Sequence, residues 1–324
     1  MNSSSAQSAA SDTLFPKPFA RKWRWSLLIF LLCILGFSAW WGGSALYRAL
    51  TFHPAGKIVF ECKNLLCLVN ADGSGYTQLT FQKKDRWPAW SPDGKRIAFL
   101  REEIGGEAGQ TGMLYLINAD GSGLMRLTDD VFIAGHPDWS PSGEQIAFTY
   151  LKREDNSAGI AVVNLQGQVV FLTNLSESQP TWSPDGKRIA FLENISTNSP
   201  NTTIAYLYIM NSDGSGKKPL AQINSFSPAW SPDGKKIAFR LFGIDKYGIW
   251  IVNADGSGMT QLTDSGVNPT WSPDGQYIAY SRDDPWCFLC SSTGQLMIMR
   301  ADGLQQTKIT DGPMDQNPAW QPAP

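Results

Sequence analysis

Apolar residues are distributed along this chain in two ways. One is a single block: between Arg24 and Arg48 lie 23 residues without a charge, 25–47. At 1.5 Å rise per residue a helix of that length spans roughly 34 Å, enough to cross a hydrocarbon core about 30 Å thick. Trp23 and Trp25 stand at one end and Trp40, Trp41 and Tyr47 at the other, where the two interfaces favour aromatic side chains. The second pattern begins near residue 57. Short runs such as Lys-Arg-Ile-Ala-Phe alternate or are wholly apolar, and each ends at Gly, Pro, Asn or Asp. That is the signature of strands joined by tight turns.

The short runs repeat. The phrase Pro-Ala-Trp-Ser-Pro-Asp-Gly-Lys-Arg-Ile-Ala-Phe around Trp90 recurs in varied form around Trp139, Trp182, Trp230 and Trp271, and its opening returns at Trp320. The Trp spacings are 49, 43, 48, 41 and 49. A second phrase, Asn-Ala-Asp-Gly-Ser-Gly, starts at Asn70, Asn118 and Asn253, with degenerate copies at 164–167, 211–216 and 300–303. Each unit closes on Leu-Thr or a close variant. The unit reads as four strands: Pro-x-Trp, then Lys-x-Ile-Ala-Phe, then the apolar run before Asn, then the strand ending at Leu-Thr. Gly occupies the last turn position in every copy, whereas Ala55, Ser142 and Gln166 replace the Asp. A turn that needs φ > 0 requires Gly, and a ligand site would require the carboxylate, so these turns are structural. Four strands per unit of this length make a β-propeller blade.

Six blades are predicted over residues 52–324. The segment 52–57 is a worn copy of Trp-Ser-Pro-Asp-Gly-Lys, so the strand 318–320 is expected to complete the blade begun by 57–80. That closure joins the two ends of the domain and leaves no free sheet edge. The full expectation is an all-β, six-bladed propeller of four-stranded blades preceded by one N-terminal transmembrane helix: a disordered cytoplasmic tail at 1–24, a signal-anchor helix at 25–47, and the propeller.

The repeated phrases resemble those of TolB-like six-bladed β-propellers, a WD-repeat-like family, over about 270 residues. The resemblance implies an exported propeller acting in a trans-envelope protein complex. TolB propellers carry an extra N-terminal α/β domain. Here the membrane segment runs almost directly into the first blade, so a membrane-anchored member lacking that domain is expected. Similar repeats also form gating propellers in prolyl-oligopeptidase-like enzymes and sensor domains.

Charge sets the orientation. Lys17, Arg21, Lys22 and Arg24 precede the apolar block, and Arg48 and Lys57 follow it. The N-terminus is therefore expected in the cytoplasm and the propeller in the periplasm or outside the cell. A cleaved signal peptide, with an apolar core at 27–37 and a site near Ser44 and Ala45, is the alternative; the length and the aromatic far end favour an uncleaved anchor. Residues 1–48 carry a net charge of +4 and the remainder −6. An acidic exported part and a pI near 5.8 disfavour a nucleic-acid partner.

Catalytic motifs are absent: no Gly-x-Ser-x-Gly, His-Glu-x-x-His or P-loop occurs. Only His53 and His136 are available for imidazole chemistry. His136 precedes a proline, at a position that other blades fill with Trp87, Gln179, Ser227, Asn268 and Asn317. Innermost strands surround the channel of a propeller, so His136, Gln179, Ser227, Asn268 and Asn317 are candidates for its mouth. Isolated Asp-Gly turns lack the spaced oxygens of a calcium loop. No cofactor and no metal are expected. Of the five cysteines, Cys33 lies in the apolar block. Cys62, Cys67, Cys287 and Cys290 are disulfide candidates in an exported domain, paired locally or across the seam between blades one and six. A four-cysteine zinc site, or plain packing of Cys67, are the alternatives.

The connections between strands two and three vary in length, unlike the turns. Variable loops held by a rigid ring are where propellers place function. The expected partner-binding face carries Arg86, Trp87, Arg101, Phe132, Phe242, Tyr247, Arg282 and Trp286, rich in the aromatic and arginine residues that anchor interfaces. The leading functional reading is a non-catalytic propeller that binds a protein or cell-envelope polymer. A carbohydrate-active lyase or hydrolase using the channel mouth, and a ligand-sensing domain, are the competing classes.

Overall fold

The Lys-x-Ile-Ala-Phe runs form the second strand of every sheet, and the sheets are arranged around a common channel. The computed structural model describes residues 54–81, 84–102, 112–129, 132–133, 135–151, 158–174, 176–196, 203–221, 224–243, 247–282, 294–312 and 314–323. All of these lie in one compact unit, Pro54–Pro324. The expected tail (1–24) and helix (25–47) lie outside the described residues. Among the described residues no helix is long and apolar enough to cross a membrane.

Six antiparallel sheets are present. Blade two shows the pattern, running Asp85–Trp90, Arg96–Arg101, Met113–Asn118 and Met125–Arg126 from inside to outside. Blades four, five and six repeat it, with inner strands Glu177–Trp182, Ser225–Trp230 and Val267–Trp271. Blade one is assembled from both ends of the domain. Asp315–Trp320 pairs with Lys57–Cys62, in the register Ile58↔Trp320 and Val59↔Ala319, and Leu65–Asn70 and Thr77–Gln78 follow. The closing strand is therefore longer than the expected 318–320. Blade three departs from the pattern. Its inner strand is split into Phe132–Ile133 and Asp138–Trp139, both paired with Gln145–Leu151. Every inner strand carries the proline, so the difference lies elsewhere: between Ile133↔Tyr150 and Asp138↔Ala147 the inner chain is two residues longer than the strand it faces, and Gly135 (φ 145°) precedes His136 there.

The turns follow from their residues. In Ser91-Pro92-Asp93-Gly94, the Gly94 N–H donates to the Ser91 carbonyl at 2.8 Å and Gly94 takes φ 65°. Asp93 accepts the Ser91 hydroxyl at 2.6 Å and the Lys95 N–H at 3.1 Å, so its carboxylate is used inside the turn. The turns between strands three and four also touch the preceding blade. A Cβ on Gly214 would stand 2.9 Å from the Leu172 carbonyl oxygen.

Strands two and three are buried on both faces and fill the space between neighbouring sheets. Between blades two and three, Ala98, Leu100, Leu114 and Leu116 meet Trp139, Ile146, Phe148 and Tyr150. Comparable clusters join blades one and two, three and four, four and five, and five and six. Each buried Phe or Ile contributes on the order of 2 kcal/mol of transfer free energy.

The repeat tryptophans tie sheet to sheet. The indole N–H of Trp90 donates to the Ala319 carbonyl at 3.2 Å, that of Trp139 to Ala89 at 3.2 Å, that of Trp230 to Thr181 at 3.2 Å, and that of Trp271 to Ala229 at 3.1 Å. Each acceptor lies on the inner strand of the preceding blade. At the seam Trp320 donates instead to Ala55 at 2.9 Å. The Trp182 indole N–H is buried with no partner among the described residues, next to the split strand of blade three. Trp182 and Trp230 are equally buried, each 7% exposed. Replacing either by Phe removes similar packing; Trp230 differs in its hydrogen bond and in the Arg188 guanidinium over its ring at 4.9 Å, which a Phe ring still accepts. Trp230→Phe is expected to be less stable than Trp182→Phe by about 1 kcal/mol in urea unfolding, because only the former strands a carbonyl.

Candidate functional site

The inner strands converge on a narrow opening. In five blades the inner strand contains one extra residue, seen as a register shift at Arg86/Ala89, Ser178/Thr181, Phe226/Ala229 and Val267/Thr270, and opposite Val59/Glu61 in blade one. The residue that takes up the bulge is Trp87, Gln179, Ser227, Asn268 or Asn317, all at φ 51–53°. Asn tolerates this left-handed conformation, whereas Trp and Gln adopt it at a cost of about 1–2 kcal/mol. His136 holds the sixth position. These are the six residues that precede the prolines of the repeats.

A bulge removes a backbone N–H from the ladder, and side chains take it up. Trp87 N–H donates to Glu61 Oε1 at 2.6 Å, Gln179 N–H to Thr149 Oγ1 at 2.9 Å, and Asn317 N–H to Ser281 Oγ at 3.1 Å. Glu61, Thr149 and Ser281 occupy one register position of the second strand, where blades two and four carry Leu100 and Leu192. The ring residues then link to one another. Gln179 Oε1 accepts the Ser227 N–H at 2.6 Å, and the Ser227 hydroxyl donates to Asn268 Oδ1 at 2.5 Å. Asn268 Nδ2 donates to Asn317 Oδ1, and Asn317 Nδ2 donates to Glu61 Oε1 at 2.6 Å. The circuit runs from blade four through five, six and one to Trp87 of blade two. Trp87 meets the gap at blade three through its ring, 5.3 Å from that of His136.

Burial dominates the titration of this region. It raises the Glu61 carboxyl, and the Trp87, Asn317 and Gln316 donors and the nearby Arg86 charge only partly offset it. It lowers the His136 imidazole to about 4, so the ring is neutral at physiological pH. Asp138, two residues on, is pushed up to about 7 by burial, opposed by donors from Trp182, Thr181 and Trp139. Its Oδ2 accepts the Trp182 N–H at 2.6 Å.

The residues expected on the partner face are placed in different settings. Trp87 belongs to the channel-mouth ring and packs against the core between blades two and three. Arg86 beside it is half-buried, and its Nε has no partner among the described residues. Arg101 is not on the exposed face: it is 7% exposed and forms a bidentate ion pair with Asp85, at 2.6 and 2.8 Å. Its guanidinium lies over the Phe99 and Tyr115 rings, so its stem is absorbed by packing. Phe242 and Tyr247 are half-buried, 5.8 Å apart edge to face, with Arg240 over both rings and donating to the Tyr247 hydroxyl at 2.6 Å. Arg282 is exposed at the end of Tyr277–Arg282. Phe132 contributes its backbone to a short strand. Trp286, Cys287 and Cys290 lie outside the described residues. Cys62 and Cys67 are joined to each other by a disulfide. Among the described residues no group of three His, Cys, Asp or Glu could hold a metal ion.

Sequence reading passed over Glu61 and Asp138. The signal was present in the repeat alignment: Glu61 is the one acidic residue in a column that otherwise holds Leu100, Thr149, Leu192, Arg240 and Ser281, and Asp138 stands where the other blades have Ala or Thr. Asp138 makes a pH prediction. The folded protein holds its proton more tightly than the unfolded chain, whose value is near 3.8. The stability this group supplies is therefore intact below about pH 4 and is lost as the pH rises to about 7. Asn does not titrate. Asp138→Asn is expected to match the native protein near pH 4 and to exceed it at pH 8 by on the order of 2–4 kcal/mol in urea unfolding, the lower figure applying where water reaches the rim.

The architecture is shared with known proteins. In solved structures, TolB from Acinetobacter baumannii superposes with a TM-score of 0.69 at 24% identity, over 86% of this chain and 70% of that one. A protein named as a TolB from Agrobacterium tumefaciens gives 0.66 at 23% identity, over 82% of this chain and 92% of that one. In sequence, the Tol-Pal system protein TolB of Alcanivorax borkumensis is 32% identical over 82 residues. That stretch is 24% of this chain and only 18% of that relative's length. The family model of the TolB beta propeller domain matches residues 153–324, more than half of the chain. The chain belongs to the TolB β-propeller family.

Proposed function

We propose that this chain is a non-catalytic, membrane-anchored propeller that works outside the cytoplasm and binds a protein or envelope-polymer partner through its variable-loop face, centred on the channel mouth. The single observation that carries this reading is Trp87. An aromatic residue is held in a left-handed conformation that costs stability, with its ring half-buried at the rim. Backbone strain of this kind is kept at sites that recognise something. Trp is also the residue type most often found at the energetic centre of an interface. The half-buried Arg86 beside it and the Phe242–Tyr247 pair supply further anchors on the same loop side.

Three further observations support the setting. The apolar block 25–47 has the length and flanking charges of an anchor with its N-terminus in the cytoplasm. The Cys62–Cys67 disulfide suits an oxidising compartment. The relative from Alcanivorax borkumensis is named as part of a multi-protein system, which favours a protein partner.

The test is photocrosslinking in cells from two sides of the ring. A benzophenone residue at Phe242 is expected to give a discrete adduct, whereas one at Asp213, in a turn between strands three and four, gives none. An adduct from Asp213 alone would overturn the reading. Trp87→Asn adds the energetic half of the argument. Asn tolerates φ 51°, so the variant is expected to lose no more than about 1 kcal/mol of stability while the Phe242 adduct falls at least tenfold.

A further inference from the structure

The ring residues His136, Gln179, Ser227 and Asn268, with the prolines and the residues after them, line a cavity of about 120 Å³ in the channel. That volume corresponds to roughly four water molecules. Its wall is built from the Pro-x-Trp motifs of the six inner strands, so proline rings alternate with the residues that follow them. In five blades that following residue is small and neutral: Ala89, Thr181, Ala229, Thr270 and Ala319. In blade three it is Asp138. Asp138 pairs with Ala147 in the same register in which Ala89 pairs with Ala98, so blade three differs here in its side chain and not in its ladder.

Asp138 is the one acidic residue in this wall. Backbone and hydroxyl donors hold one side of it in place, yet it forms no ion pair among the described residues. A carboxylate in a low-dielectric cavity without a counter-charge is costly, and burial accordingly holds its pKa up to about 7. A cation arriving from outside would remove that cost. Its chemistry can be narrowed. One carboxylate beside a neutral imidazole is too few ligands for a transition metal, no three-ligand cluster of His, Cys, Asp or Glu occurs among the described residues, and the ring amides that could serve a hard cation are bonded to one another. His136 lines the cavity with its ring 5.3 Å from that of Trp87, and an aromatic face near a carboxylate suits an organic cation. The cavity is narrow and proline-lined, which suits an unbranched methylene chain ending in a compact, freely rotating charge better than a planar fork.

We propose that the channel receives a primary ammonium group, a lysine side chain of the partner, with the ammonium on Asp138 and its methylenes against the prolines. This rests on the partner-binding reading above and gives that partner a required chemistry. Asp138 acts by charge complementarity, so its loss weakens an ammonium and leaves a neutral alcohol unaffected.

The experiment uses the full chain in detergent micelles and n-butylammonium chloride as the probe, followed by the indole N–H signals of its tryptophans. Saturation at a single site is expected. Asp138→Asn, which keeps an acceptor for the Trp182 N–H, is expected to weaken binding at least tenfold. n-Butanol is expected not to saturate, and n-butylguanidinium to bind at least tenfold more weakly. Thr270→Leu, which fills the channel from the blade across the ring, is expected to abolish binding while retaining the β-sheet circular dichroism of the native protein. Unchanged affinity in Asp138→Asn, or no saturation by butylammonium, would overturn the proposal even where the Phe242 adduct still forms. Butylammonium binding without any adduct from the loop face would instead overturn the partner reading, leaving a free amine as the occupant. Where both occur, acetylation of envelope lysines before crosslinking is expected to remove the adduct; survival of the adduct would rule out a lysine as its source.

Discussion

The structure depends on a contact between neighbours: the indole N–H of the repeat tryptophans, Trp182 excepted, reaching back to a backbone carbonyl. Four of these contacts, from Trp90, Trp139, Trp230 and Trp271, end on the inner strand of the preceding blade. A single blade cannot make such a bond by itself, so the repeat acquires its meaning only in a ring. The bond from Trp90 to Ala319 spans 229 residues of sequence. Together with the Ile58↔Trp320 pairing it closes the circle without a covalent link. The Phe and Ile side chains of the second strands then fill the wedges between sheets, and that burial supplies most of the driving force.

Once the tryptophans fix the inner strands, the opening at the centre is narrow and its rim must be reconciled with the ladder. The bulges accomplish this. Each places one residue in the left-handed region and frees one N–H, and the groups freed at Trp87, Gln179, Asn317 and Ser227 are collected by Glu61, Thr149, Ser281 and Gln179. The outcome is a belt of linked polar groups around most of the channel mouth. It is interrupted where blade three substitutes a split strand, a neutral histidine and a buried carboxylate. The regular part of the rim is satisfied internally. The irregular part holds Asp138 and the Trp87–His136 ring contact, and it is there that the proposed recognition is centred.

Most of the fold was legible in the sequence because it is written in turn residues and tryptophans whose requirements are local. Gly94 and Gly214 need positive φ, and that need is visible in a repeated Asp-Gly. The seam was legible because Trp320 repeats the opening of a motif whose continuation lies at 52–57. The channel-mouth ring was legible as a column of mixed residues before the prolines. Arg101 was misjudged because its partner Asp85 is 16 residues away and the pairing forms only when two strands align. Trp87 stands in the column before the prolines and was assigned to a loop face because it is the apolar member of a polar set. Asp138 was overlooked because its importance comes from five neutral neighbours on other blades, a comparison across repeats and not along the chain.

The central claim is that recognition sits on the channel-mouth side and is centred on the irregular arc. Hydrogen exchange of the protein alone and joined to its crosslinked partner measures this directly. The account predicts added protection at 85–87, 135–139 and 177–179, with the turns around Asp72, Asp120, Asp213 and Asp255 unchanged. Protection of those turns, with none at the rim, would contradict it.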